Sequence, residues 1–220
     1  MLYSFARQNH LPSLPPVAAL AVRRSEALAL LPALCALSPE EVTRRLATGH
    51  RAYVAFLDGI PAAFGWVATR TARIGELNHA FALPPNHRYL WNFRTLPAFR
   101  GRGIYPHLLQ SIIREELPAA HCLWIMHAPE NKASARGIRK AGFAFAGKVS
   151  VQPASGVIFE TGSQPPAFTE VLEALGFEAS GAPQATCWNC SSPYLASRKT
   201  ACCCEPDGEA CNQELFQAAG

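Results

Sequence analysis

Apolar and polar positions change their period several times along the chain, and each change marks an expected element. Residues 1–16 are polar and Pro-rich and read as a loose lead-in, with a first strand expected at 18–22. Between 25 and 37 the apolar residues recur at helical spacing, interrupted by Pro32. Ser38-Pro39-Glu40-Glu41 then announces a helix. Ser38 suits the N-cap, Pro39 the first helical position and Glu41 the partner position of a capping box. That helix is expected to reach Ala47 and to stop near Gly49. Two strands, 52–57 and 62–69, flank Asp58-Gly59, a strong hairpin signal. Further strands are expected at 76–83 and 88–95, joined by the Pro84-Pro85-Asn86 loop.

The period then lengthens. Ile104, Leu108, Leu109, Ile112 and Ile113 form one apolar stripe of a helix, with Pro106 in its first turn and Pro118 after its end. Residues 121–127 read as a buried strand, and 131–141 as a short helix closed by Gly142. A strand at 143–151 has a hairpin partner at 156–161. Beyond Gln164-Pro165-Pro166 the composition changes, and a short helix at 169–175, ended by Gly176, leads into a cysteine-rich tail. The expected division is therefore one main domain, 1–163, and an appendage, 164–220.

Composition narrows the function classes. The chain has 220 residues, 49% of them hydrophobic and 16% charged, so it can bury a sizeable core. A formal net charge of +4 suits an anionic ligand but is too weak and dispersed for a nucleic-acid partner. No run approaches the ~18 apolar residues of a membrane span. The apolar stretch at 17–22 follows Pro12, Pro15 and Pro16 and lacks a cleavage site, so a cytoplasmic setting is expected.

One turn carries the main chemical signal. A strand ending in Thr95-Leu96-Pro97 leads through Arg100-Gly101-Arg102-Gly103-Ile104-Tyr105 into the amphipathic helix. Glycines let the backbone turn tightly and approach a ligand closely. The free N–H groups at the helix start attract a phosphate, and Arg100 and Arg102 can pair with its oxygens. The turn is neither a dinucleotide fingerprint nor a P-loop, because the required third glycine and the Lys-Ser/Thr ending are missing.

The stretch 95–105 resembles the acetyl-CoA motif of the GNAT superfamily of N-acetyltransferases, with Tyr105 where Gly or Ala is more usual. The run Asn131-Lys132-Ala133-Ser134, continuing to Lys140-Ala141-Gly142-Phe143, resembles the second motif of the same family. The resemblance implies an α/β (α+β) fold, with a mixed, mostly antiparallel central sheet and helices on both faces. It implies acetyl-CoA, or another acyl-CoA, as co-substrate. The backbone at Thr95 and Leu96 would pair with the pantetheine amides. The N–H groups from Arg100 to Tyr105, with Gly101, Arg102, Gly103 and Ile104 between them, would hold the pyrophosphate. Asn131 and Ser134 would touch the CoA arm, although Asn131 also reads as a plain helix N-cap and Ser134 as a solvated helix position.

The implied reaction is direct attack of an amine on the thioester, which needs a proton acceptor and an N–H near the thioester oxygen. Here the sequence departs from the family. Ile138 stands where many members carry a Tyr acid, and Asn92, a substrate-facing position, stands where an acidic residue is common. Glu76 and His79 remain as candidate bases.

Of eight cysteines, Cys35 and Cys122 lie in apolar surroundings. Cys187 and Cys190 form a C-x-x-C knuckle, followed by Cys202, Cys203, Cys204 and Cys211. Structural zinc held by the knuckle and two of the later four is one reading. Redox-labile or disulfide-linked thiols, another metal or cluster, and a disordered tail are the others.

Three functions fit. The first is an enzyme acylating a small-molecule amine. The second is a CoA-binding regulatory or metal-sensing protein with a degenerate site. The third is a peptide acyltransferase that docks its substrate on the tail. No nucleic-acid or membrane partner is expected, and the oligomeric state stays open, a homodimer included.

Overall fold

A computed structural model describes residues 1–152, 156–161, 172–173, 175–180 and 187–195. Eleven strands are found among them: β1 (Leu2–Ala6), β2 (Leu20–Ser25), β3 (His50–Leu57), β4 (Ile60–Ala68), β5 (Thr71–Ile74), β6 (His79–Ala82), β7 (His87–Thr95), β8 (Cys122–Met126), β9 (Ala144–Gln152), β10 (Gly156–Thr161) and β11 (Glu178–Ser180). The helices are α1 (Leu31–Cys35), α2 (Pro39–Ala47), α3 (Ile104–Glu116), α4 (Lys132–Lys140) and the single turn α5 (Trp188–Ser191). The main sheet runs β11-β10-β9-β1-β8-β7-β4-β3-β2, and β5 and β6 form a separate hairpin. Its pairs are antiparallel except β7 with β8 and β10 with β11. No helix among the described residues is long and apolar enough to cross a membrane.

The period-two pattern assigns residues to faces. Tyr53, Ala55, Leu90, Leu123 and Ile125 turn to one face and pack against the α3 stripe and Ile138 of α4. Burying each large aliphatic side chain there contributes about 1.5–3 kcal/mol. The alternate residues turn to the other face. Ala52, Val54, Phe64 and Trp66 pack under Leu31 and Cys35 of α1 and Val42 of α2. Tyr89, Trp124 and Phe159 pack under β5, β6 and the C-terminal residues Leu172, Leu175, Phe177 and Trp188. Those C-terminal residues thus share a core with the sheet, and β11 extends it beside β10.

One buried carboxylate ties α3 to the sheet. Glu116 is fully buried and accepts hydrogen bonds from Tyr53 Oη at 2.7 Å, Arg51 Nη1 at 2.6 Å and Arg88 Nε at 2.9 Å. Burial works to raise its pKa, but the hydroxyl and the two guanidinium groups outweigh burial and hold it below the usual value.

Several expectations are corrected. The lead-in is not loose: Leu2, Tyr3 and Phe5 are buried, and β1 lies between β8 and β9. Its run is short and buried on both faces, so it has neither helical nor alternating period. The strand expected at 18–22 is shifted to Leu20–Ser25. Only Leu31–Cys35 of the 25–37 segment is helical, and Ala36 at φ 54° ends it. Glu41 completes no capping box: its carboxylate pairs with Arg44 and Arg45, while Ser38 does cap the Glu41 N–H. The strand expected at 76–83 divides into a 3-10 turn, Gly75–Leu77, and β6, with Asn78 at φ 49° between them. Most of the helix expected at 169–175 and most of the tail fall outside the described residues.

Candidate active site

The parallel pairing of β7 and β8 runs from His87↔Cys122 only to Leu90↔Ile125, yet β7 continues to Thr95. The strands part, and the backbone groups of residues 91–95 that face the gap have no strand partner on that side. Buried main-chain groups need hydrogen bonds, so an extended ligand with amides fits this edge. The other side of β7 stays paired with β4, but the register slips between Phe64↔Arg94 and Trp66↔Trp91. The slip is a bulge, with Asn92 at φ 51°, a backbone conformation that Asn tolerates better than most residues.

The Gly-Arg-Gly turn sits at the mouth of this gap. Gly101 and Gly103 adopt φ 76° and 75°, where an L side chain would be strained. Gly103 is the N-cap of α3 with no side-chain cap, so the first-turn N–H groups stay unclaimed. Pro106 has no N–H to offer, which limits the cradle to the residues before it. Arg100 lines the opening, with Nε donating to Thr95 O at 3.2 Å. Arg102 instead lies over the Phe99 ring at 5.7 Å.

Helix α4 forms the next wall. Asn131 is its N-cap, Oδ1 accepting from the Ser134 N–H at 2.9 Å. Gly137 makes a close approach possible: a Cβ there would lie 2.3 Å from the Tyr105 ring. Tyr105 therefore packs closely against α4, 5.7 Å from the Phe93 ring, with Oη 3.3 Å from Ser134 Oγ. Burial pushes the Tyr105 hydroxyl up and outweighs the Ser134 hydrogen bond, so it stays protonated. Ile138 is buried in the core.

These groups line one cleft of ≈ 630 Å³. Thr95, Arg100, Gly101, Gly103, Ile104, Tyr105, Asn131, Ser134, Asn92 and Glu76 all border it. Leu96 and Arg102 do not, and the Leu96 N–H is already used by Ala62 O at 2.9 Å. His79 is also elsewhere. Its ring stacks 4.9 Å from Phe177 and 5.4 Å from Phe81, and Nε2 lies 3.0 Å from Leu175 O. A carbonyl only accepts, so that nitrogen carries the proton and is not a base. Glu76 occupies the 3-10 turn after β5, and its carbonyl accepts from Ser192 Oγ.

The cleft also holds residues that sequence reading missed: Cys35, Trp91, Arg94 and His127. Burial pushes the Cys35 thiol up to about 11, against the Trp66 N–H and the Arg45 charge beside it. Burial also holds His127 down to about 4, helped by neighbouring positive charge. Its Nδ1 donates to Ala128 O at 2.7 Å and its Nε2 accepts from Tyr3 Oη at 3.3 Å. No local motif announces these four, because the bulge and the sheet order bring them together.

The strand pair opens into a cleft that is bordered by the glycine turn before α3, by the start of α4 and by Glu76. The sequence model of the acetyltransferase (GNAT) family matches residues 25–143, more than half of the chain. The chain belongs to this family. Among solved structures, this GNAT chain resembles a putative GNAT acetyltransferase of Novosphingobium aromaticivorans at 17% identity and TM-score 0.46, covering 65% of this chain and 58% of that one. A GCN5-related N-acetyltransferase of Kribbella flavida gives 14% identity and TM-score 0.43, covering 65% and 52%. A putative acetyltransferase of Salmonella typhimurium, solved with acetyl-CoA, gives 17% and 0.47, covering 60% and 84%. The chain thus spans less than two thirds of the first two relatives' length. No curated protein matches. The family match begins after β1 and ends before β9, so the β1 strand lies outside the segment by which this GNAT protein is recognised.

Of the residues expected to hold zinc, Cys187 is described and buried, its thiol donating to Glu130 Oε1 at 2.7 Å. The Cys190 side chain and Cys202, Cys203, Cys204 and Cys211 fall outside the described residues. Among the described residues no group of three or more His, Cys, Asp and Glu could hold a metal.

Proposed function

We propose that this GNAT protein transfers an acetyl group from acetyl-CoA to a primary amine of a small molecule by direct attack. The observation that carries this reading is the opened β7–β8 pair, with the glycine cradle at its mouth. An extended amide-bearing arm can pair with the free edge of residues 91–95. A pyrophosphate can sit against the N–H groups before Pro106, with Arg100 at the rim. Asn131 and Ser134 border the same channel. Acetyl-CoA supplies the activated acyl group.

The chain's own part is positioning and proton handling. Glu76 is the titratable carboxylate at the acceptor end, and it accepts the proton that the attacking ammonium must lose. Tyr105 stays protonated, and its ring stays against Gly137 and Phe93. The thiolate leaves without a protein acid, because a thiol is far more acidic than an amine. The β5–β6 turn and α1 wall the acceptor end, which favours a small molecule over a protein chain.

A thiol-release assay with acetyl-CoA and a panel of small amines tests the reading. Saturable release that requires both substrates is expected. If acetyl-CoA does not bind the protein, the proposal fails.

A further inference from the structure

The bulge at Asn92 has a chemical result on one face of the sheet. In a regular strand Trp91 and Arg94, three positions apart, would point to opposite faces. With the extra residue between them, they pair with Trp66 and Phe64 on β4, two positions apart on one face. Both line the cleft, at the end where Cys35 and Phe64 also border it.

This end is crowded with donors that donate to nothing. Among the described residues, Arg94 Nε and Trp91 Nε1 are buried without a hydrogen-bond partner. Behind them Arg45, only 9% exposed, lies 4.5 Å from the Trp91 ring centroid and 5.2 Å from that of Trp66. Its Nη1 is also buried and unpartnered, while the Trp66 N–H beside it has only the weakly accepting Cys35 thiol as a neighbour. Arginine and tryptophan side chains only donate, so no rearrangement among them satisfies these groups. The neutral imidazole of His50, whose Nδ1 is also buried and unpartnered, can accept one hydrogen bond at most, so several orphan donors beside a single acceptor point to a further acceptor supplied from outside.

The charges agree. Glu41 is the carboxylate facing this group from α2, and it is shared by Arg44 at 2.8 Å and Arg45 at 2.7 Å. One carboxylate between two guanidinium groups leaves a positive balance, to which Arg94 adds. His50, whose ring lies 5.2 Å from that of Trp91, is held down to about 4 by burial and then by Arg45 and Arg44, so it stays neutral. Glu76 lines the same cleft and attracts an ammonium group.

We propose that the acceptor is a zwitterion, an amino-acid-type amine whose carboxylate is held by Arg94 and the Trp91 N–H, with the Arg45 charge behind them. The proposal rests on the acetyltransferase reading and deepens it. The carboxylate supplies the acceptor oxygens that the orphan donors lack, and its binding leaves the amine free to face Glu76 and the thioester. A purely cationic amine would meet unfavourable charge at this end.

The test compares the common α-amino acids with their α-amides in the thiol-release assay with acetyl-CoA. At least one free acid is expected to exceed its amide in kcat/KM by about tenfold or more, the scale of a charge-assisted contact. Arg94→Met should raise the acceptor KM by a similar factor and erase the preference for acid over amide, with the acetyl-CoA KM unchanged. Trp91→Phe, which keeps the ring and removes only the N–H, should do the same to a smaller extent. Equal use of acids and amides, or preference for polyamines without a carboxylate, overturns the proposal while leaving the acetyltransferase reading intact. A second measurement does not depend on turnover. Titration of the CoA-loaded protein with the same pairs, read by tryptophan fluorescence, should show binding of acids and not of amides. Absence of that difference overturns the site even if no amine is acetylated, whereas loss of turnover alone bears only on the acetyltransferase reading.

Discussion

In the half of the cleft proposed to hold acetyl-CoA, the lining groups come from one turn and the starts of two helices, Gly101 to Tyr105 and Asn131 to Gly137. In the half proposed to hold the amine they come from α1, a 3-10 turn, β4 and the bulged end of β7, with Arg45 of α2 behind them. The first half is built from short contiguous runs, where two glycines and a cap residue dictate the backbone. The second is built by sheet register, where each residue matters only because another strand lies beside it. Substitutions in the first half should therefore act on acetyl-CoA, and substitutions in the second on the amine.

The largest expected effect removes the support common to both. Glu116→Gln leaves Arg51 and Arg88 without their buried counter-charge, and breaking such a pair costs about 3–5 kcal/mol. Urea unfolding should show this loss, together with falling activity on every substrate. The same network sets an acid limit. The Glu116 carboxyl is held below its usual value of 4.5, so its stabilisation is present above that pH and is lost as pH falls through the lower folded value. Wild-type stability should decline below about pH 4.5 more steeply than that of the Gln variant.

Next in size is Glu76→Gln, which should lower kcat by about 100-fold or more, the range of a lost general base. The acetyl-CoA KM should hold, and the pH–rate profile should lose its acidic limb. His79→Gln is the matched control. It should cost stability through Leu175 and Phe177 and leave that profile in place.

Gly103→Val tests the other half. A Cβ at Gly103 meets Val17 only at 3.7 Å, so crowding is not the issue. Holding a side chain at φ 75° costs about 1–2 kcal/mol. The acetyl-CoA KM should rise about tenfold or more, with the ratio of rates among amines preserved. The smallest effect is Asn131→Ala. Loss of the α4 cap should cost about 1 kcal/mol, and the Ala protein should bind acetyl-CoA several-fold more weakly in calorimetry. An acceptor-specific effect of either variant would erase the distinction between the halves.

The same division explains what the sequence made legible. The α2 cap, the Asp58-Gly59 hairpin, the α3 stripe and the glycine turn are set by neighbours within a few residues, and their patterns show it. Glu76 reads as a strand residue because its apolar surroundings hide the left-handed Asn78 that ends the turn. His79 reads as available because Leu175 and Phe177, which cover it, are nearly a hundred residues away in the chain. Arg94 and Trp91 read as ordinary strand residues, since nothing local announces the bulge. The β1 strand escaped for a related reason: five residues buried on both faces carry no period.

That strand has a consequence for how the molecule is made. Leu2 pairs with Met126 on one side and Gly147 on the other, so β1 must wait for partners that lie far later in the chain. Pairings so distant in sequence slow folding, because a long loop must close before any contact rewards it. Until β8 and β9 exist, an apolar Leu-Tyr-Ser-Phe strand waits with both edges open, a hazard for pairing with other chains. The gap between β8 and β9 is the width of one strand, and it is filled by a segment from far earlier in the chain.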